Sequence, residues 1–133
     1  MSTPTASVVV GVDFVNVPVT DLDAARAWYR DVLGLTPSQV YQRRGEAAMG
    51  AEFETGTVTI ALIDVAKIGR EFRANSLPIA FRVDDVEAAR AALEAKGVTF
   101  QADTLDSGVC HMAFFEDPEG NALMLHHRYA PRD

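Results

Sequence analysis

Apolar and polar positions alternate along this chain in short runs, and two of those runs change to a helical period directly after an aspartate. Residues 12–19 and 77–83 are rich in Val, Ile, Leu and Phe and read as strands. Asp21 and Asp85 then stand where a helix N-cap belongs, because a carboxylate there accepts hydrogen bonds from the free N–H groups of the first turn. Leu22, Ala25, Trp28, Tyr29 and Val32 share one face of the first predicted helix, and Val86, Ala89, Ala92 and Leu93 share one face of the second. Gly34 and Gly97 lie where glycines close helices. Three shorter strands are expected after each helix, at 38–43, 48–54 and 57–65, then at 99–103, 109–115 and 121–127. Turns at Thr55-Gly56 and Asp117-Pro118-Glu119-Gly120 join the last two strands of each set.

The two sets are copies of one another. Val19-Thr20-Asp21-Leu22-Asp23-Ala24-Ala25-Arg26 returns as Val83-Asp84-Asp85-Val86-Glu87-Ala88-Ala89-Arg90, and the same spacing of 64 residues carries Gly56 onto Gly120. Two copies of this length describe a duplicated module, not a solenoid. The expected fold is α+β: two tandem βαβββ modules, at about 8–65 and 77–128, within one domain spanning 1–133. Residues 66–76 between them are polar and basic and read as a solvated linker, although Lys67, Arg70 and Arg73 are long enough to reach a ligand.

Composition narrows the function. At 48% hydrophobic and 23% charged residues the chain has the material for a packed core. A formal net charge of −7 opposes nucleic acid and anionic membrane surfaces as partners. No run approaches the roughly 20 apolar residues that span a bilayer, and Met1–Ser7 lacks the basic start of a leader, so a cytoplasmic location is expected. The single cysteine, Cys110, allows neither an internal disulfide nor a cysteine-rich zinc site.

Four stretches in order resemble the vicinal oxygen chelate superfamily, the group of glyoxalase I, bleomycin-resistance proteins and extradiol dioxygenases. They are Asp13 to Ala25, Trp28-Tyr29-Arg30-Asp31-Val32-Leu33-Gly34-Leu35, Ile79 to Val86, and Phe115-Glu116-Asp117-Pro118-Glu119-Gly120-Asn121. The resemblance implies curved mixed sheets around a cavity, and a homodimer that often exchanges modules. It also implies four metal-ligand positions, one on the first and one on the last strand of each module. These fall at Phe14 and Pro78, seven residues before each capping aspartate, at Met124, and, by the repeat spacing, at Ile60. None is a donor for a hard or borderline cation, since Phe, Pro and Ile offer no lone pair and a lone Met thioether is soft. The resemblance is therefore to a branch deficient in the metal site, with no cofactor expected.

Alternation from Met124 turns Ala122 and His126 toward the cavity, and the family pattern adds Cys110, Met112 and Phe114 from the preceding strand. His111 and His127 then point away. His126 and Cys110 alone could join a displaced metal site. A hydrogen-bonded imidazole and an inert buried thiol are the favoured reading. The full expected lining is Phe14, Asn16, Ile60, Leu62, Pro78, Ala80, Cys110, Met112, Phe114, Ala122, Met124 and His126. It is apolar and aromatic, with Asn16 and His126 as polar anchors, and suits an aromatic or apolar small molecule. Two functions fit. The favoured one is a metal-independent binding protein that sequesters a natural product for resistance or self-protection. The other is a metal-free isomerase or lyase of secondary metabolism, with His126 as general acid or base and Cys110 or Asn16 assisting.

Overall fold

The computed structural model describes residues 7–132; Met1–Ala6, most of the stretch read above as lacking a leader, lie outside them. Strand β1 (Phe14–Val19) leads into helix α1 (Leu22–Asp31), which Asp21 caps by accepting from the Ala24 N–H at 3.1 Å. Strands β2 (Thr36–Gln42), β3 (Ala48–Glu54) and β4 (Thr59–Asp64) follow. The second module repeats the order with β5 (Ile79–Arg82), α2 (Val86–Ala95), β6 (Leu105–Asp106), β7 (Cys110–Glu116) and β8 (Ala122–Arg128). Asp85 caps α2 as Asp21 caps α1, accepting from the Ala88 N–H at 3.0 Å. Both helices turn out through glycines with positive φ, Gly34 at 73° and Gly97 at 94°, where a Cβ would be strained.

Each module makes one mixed sheet, ordered β1-β4-β3-β2 and β5-β8-β7-β6. The hairpin-linked strands run antiparallel, while β1 lies parallel to β4 and β5 to β8, a pairing that the long crossover through the helix permits. Residues aligned across strands share a face. Val15, Val17 and Val19 with Ile60, Leu62, Ala51 and Phe53 pack against α1. Ile79, Phe81, Leu123, Leu125, Ala113 and Phe115 pack against α2.

The two packed faces meet in one core, which holds Tyr29, Phe53, Phe115 and Leu123 almost fully buried. Polar groups clamp the seam between the modules. Tyr29 donates to Asp117 Oδ2 at 2.7 Å, and Asn121 donates to the same oxygen at 2.8 Å and to the Pro18 carbonyl at 2.9 Å. Glu119 accepts from the Thr20 N–H and hydroxyl at 2.6 and 2.5 Å. The Asp117-Pro118-Glu119-Gly120-Asn121 turn thus joins modules as well as strands. Because both sheets spend one face on a common core, their remaining faces are turned away from it.

Three expectations are corrected. The strand expected at 99–103 begins only at Leu105: Phe100 is buried, its ring 5.0 Å from Phe115 and 4.8 Å from the Arg90 guanidinium, so the chain there plugs the core and keeps one backbone bond to β7, from the Gln101 N–H to the Phe114 carbonyl at 2.9 Å. The linker is not featureless, since Val65–Ile68 form a 3-10 turn. Its far end is also pinned, with the Asn75 N–H donating to Asn121 Oδ1 at 2.9 Å and the Ala122 N–H to the Asn75 carbonyl at 2.8 Å. Finally, the repeat spacing is not constant. It is 64 from β1 to β5 (Val15 to Ile79), 62 from β3 to β7 (Phe53 to Phe115) and 63 from β4 to β8 (Leu62 to Leu125), as the paired registers require. Among the described residues no helix is long and apolar enough to cross a membrane.

Candidate functional site

The change in spacing matters because a slip of one residue moves a strand's side chains to the other face. Ile60 and Leu62, expected in the cavity, lie in the core against α1. Ala61 and Ile63 take their place beside Phe14, Asn16 and Pro18 on the outer face of the first sheet. A cleft of about 630 Å³ opens over this face, with Tyr41 on one wall. Its roof is the connecting segment: Ile68, Arg70, Arg73 and Asn75 all reach it, so the linker is part of the site. Tyr41 donates its phenol proton to Glu52, which raises its pKa above the ordinary value and fixes the ring. Asn16 is exposed at the cleft, where its amide offers both a donor and acceptors to a ligand.

The remaining expected residues gather on the outer face of the second sheet. Register places Ala80, Met124 and Phe114 in one row across β5, β8 and β7, and Arg82, His126 and Met112 in the next. Cys110 faces Arg128 one row further along. Ala122 continues this face at the other end beside Glu116, and Pro78 precedes β5 there. Met124 and Cys110 are buried, while Met112, Phe114 and His126 are half-buried. Arg82 and Arg128 also lie on this face, beyond the lining that the sequence predicts. The signal was present, since both lie two residues from expected positions, Ala80 and His126, on the same strand and so on the same face. Within a single chain the twelve expected residues therefore divide into two groups, one on each outer face, and a core pair.

With the register corrected, the four positions of the family metal site are Phe14, Ala61, Pro78 and Met124. They supply no nitrogen, oxygen or thiolate donor, so they do not fit a divalent ion. Cys110 is no substitute centre, because its sulfur lies 4.0 Å from Arg128 Nη1, a cation that repels another. Among the described residues no three His, Cys, Asp or Glu side chains converge as metal binding requires. His111 lies 3.4 Å from Asp106, outside the two outer faces, and His127 Nδ1 sits 3.1 Å from the Val83 carbonyl.

Trp28 belongs to the core margin, its ring 5.0 Å from Tyr29 and 6.4 Å from Phe115. A further cleft of about 630 Å³ runs between the modules, lined by Val15, Ile60, Phe81, Leu93 and Leu125 with Lys96 at its edge. Its walls are mostly apolar, with Thr55, Thr57 and Arg82 as its other polar members.

Duplicated βαβββ modules with outward sheet faces of this kind define a known class. Residues 11–125 match the Glyoxalase/Bleomycin resistance protein/Dioxygenase superfamily, and the chain belongs to it. It is 30% identical over 121 residues to the uncharacterized protein YaeR of Escherichia coli (strain K12), covering 86% of this chain and 94% of that one. Among solved structures it resembles TnmS3, an antibiotic binding protein from Streptomyces sp. CB03234, at 22% identity and a TM-score of 0.75, covering 92% of this chain and 99% of that one. It also resembles lactoylglutathione lyase from Agrobacterium tumefaciens, at 23% identity and a TM-score of 0.67, over 94% of this chain and 95% of that one. One is a binding protein and the other an enzyme, so the fold alone does not choose between them.

Proposed function

We propose that this chain is a metal-independent small-molecule binding protein that sequesters an aromatic or apolar natural product, in the manner of a resistance or self-protection factor. One observation carries the reading: all four positions where the family holds a metal are occupied by side chains without a suitable donor, Phe14, Ala61, Pro78 and Met124. Around them the outer faces keep apolar walls with a few polar anchors, Asn16 and His126, as ligand sites do. The likeness to TnmS3 supports the same class of activity.

The protein acts in the cytoplasm as a homodimer, the first sheet of one protomer facing the second sheet of its partner across the ligand. Exposed apolar side chains near the half-sites favour this arrangement. Phe14 is 47% exposed and Leu77, before β5, is 83% exposed, while Val8, Val9, Val10 and Val12 form an apolar run ahead of β1.

A second reading, a metal-free isomerase or lyase with His126 as general acid or base, rests on that ring's position on the same face. It lacks a carboxylate orienting the imidazole among the described hydrogen bonds, which a working proton carrier usually has. Native mass spectrometry of the protein, alone and with a panel of aromatic natural products, separates the two. Sequestration requires a metal-free dimer that retains a compound of unchanged mass. A released compound of altered mass, abolished in His126→Ala while affinity persists, establishes the enzyme instead. A stoichiometric metal would overturn both.

A further inference from the structure

The chain carries a formal net charge of −7, yet one end of the second sheet's outer face is cationic. Register sets Arg82 beside His126, and Arg128 two residues beyond His126 on the same strand. Facing side chains on adjacent strands start about 5 Å apart and successive rows about 7 Å apart. Arg82 and Arg128 therefore root within one row of His126 on this face, close enough for all three side chains to reach one small anion. Arginines on the helices are each held by a carboxylate: Arg26 by Asp23, Arg30 by Asp31 and Arg90 by Glu94. Among the described residues no carboxylate comes within ion-pair distance of Arg82 or Arg128, and the acidic member of this face, Glu116, lies at its other end beside Ala122.

Arg128 is also positioned as a receptor. Its Nη2 donates to the Pro131 carbonyl at 3.3 Å and its Nη1 leans on Cys110 Sγ at 4.0 Å, which fixes the guanidinium plane. Among the described residues its Nε has no hydrogen-bond partner and is shut off from solvent, a costly state. Next to this end lies the apolar row of Ala80, Met124 and Phe114. The face thus runs from apolar to cationic within two rows.

We propose that Arg82, His126 and Arg128 form an anion-recognition subsite, and that the ligand is an aromatic compound bearing a carboxylate, sulfonate or comparable anionic group. The proposal rests on the binding reading above and adds the charge and orientation of the ligand: body on Met124 and Phe114, anion on the arginines. Cys110 positions Arg128.

Two fluorescent dyes of the same skeleton test it, 1-anilinonaphthalene-8-sulfonate and its uncharged parent, N-phenyl-1-naphthylamine. The sulfonate should bind at least about tenfold more tightly at low salt, the gain expected of charge-assisted hydrogen bonds, and lose that margin as salt is raised. Arg82→Gln should bring the sulfonate toward the affinity of the parent and leave the parent unchanged. Arg82 is exposed, so the change does not threaten folding, and Arg82→Glu should weaken the sulfonate further. Arg128→Lys, which keeps charge but not the planar fork, should fall between wild type and Arg82→Gln. Arg44→Gln, in the exposed β2–β3 turn, should behave as wild type. Equal binding of the two dyes, or a sulfonate affinity indifferent to Arg82, overturns the anion subsite while leaving the binding reading standing. Failure of both dyes to bind overturns the subsite and that reading together.

Discussion

Tyr29 carries more of this structure than its place on a surface helix suggests. Its ring is buried among Phe53, Trp28 and the sheet residues, and its hydroxyl reaches across the modules to Asp117. Burial pushes the phenol pKa above its ordinary value, and the neighbouring Asp117 carboxylate pushes it further. The sign of the pH effect follows. A phenol raised in the folded state contributes its full stability below the unfolded value, about 10, and loses it as pH rises beyond that, because the unfolded chain ionises first. Tyr29→Phe should cost about 1.5–3 kcal/mol at neutral pH, the usual range for a hydrogen bond to a charged group. It should also flatten the loss of stability between roughly pH 10 and 11. Urea denaturation at pH 7, 9 and 11 checks both. A variant as stable as wild type at pH 7 with the same alkaline slope would remove Tyr29 from this role.

At the scale of elements, β3 shows how tightly a strand can be specified. Gly50 faces Tyr41 and Ile63 across its two neighbours, and an added Cβ would stand 2.9 Å from the Leu62 carbonyl oxygen and 3.0 Å from Ile63 Cδ1. A backbone oxygen in a central ladder cannot retreat, so Gly50→Ala should destabilise by about 1–3 kcal/mol, the range for overpacking, read as a lower thermal midpoint. Most elements were legible in the sequence for equally local reasons. The capping aspartates, the helix-closing glycines and the alternation of β7 and β8 each state their own geometry. What was not legible depended on distance. The faces of β4 were assigned by carrying one repeat spacing through the chain, but the connections differ in length between modules, and a single residue exchanged Ile60 and Leu62 for Ala61 and Ile63. Phe100 looked like a strand residue because nothing local reveals the hole beside Phe115 that it fills. Likewise, a basic linker reads as solvated until the 3-10 turn and the Asn75–Asn121 contacts bring Arg70 and Arg73 over the cleft.

The whole molecule has one core where the repeat would have allowed two, and that decides how it unfolds. The Asp117 carboxylate accepts from Tyr29 and from the Asn121 side chain, and its other oxygen takes the N–H groups of Glu119 and Asn121 at 2.9 Å. Asn121 in turn holds the Pro18 carbonyl of one module and the Asn75 N–H leading into the other. A module opening alone would expose half of this core and leave those polar groups unpartnered, so the two should unfold together. Trp28, the only tryptophan, sits at the seam and reports on it directly. Its fluorescence and the far-ultraviolet circular dichroism should therefore trace one coincident urea transition. Asp117→Ala should lower both midpoints together, a loss of several kcal/mol in stability, since it strips a buried network of its acceptor. The outer sheet faces depend on this rigidity, because they hold their relative placement only while the shared core holds both sheets. If Trp28 fluorescence changed before the dichroism, or the Asp117 variant split the transition in two, the modules would be independent units and their outer faces could move separately.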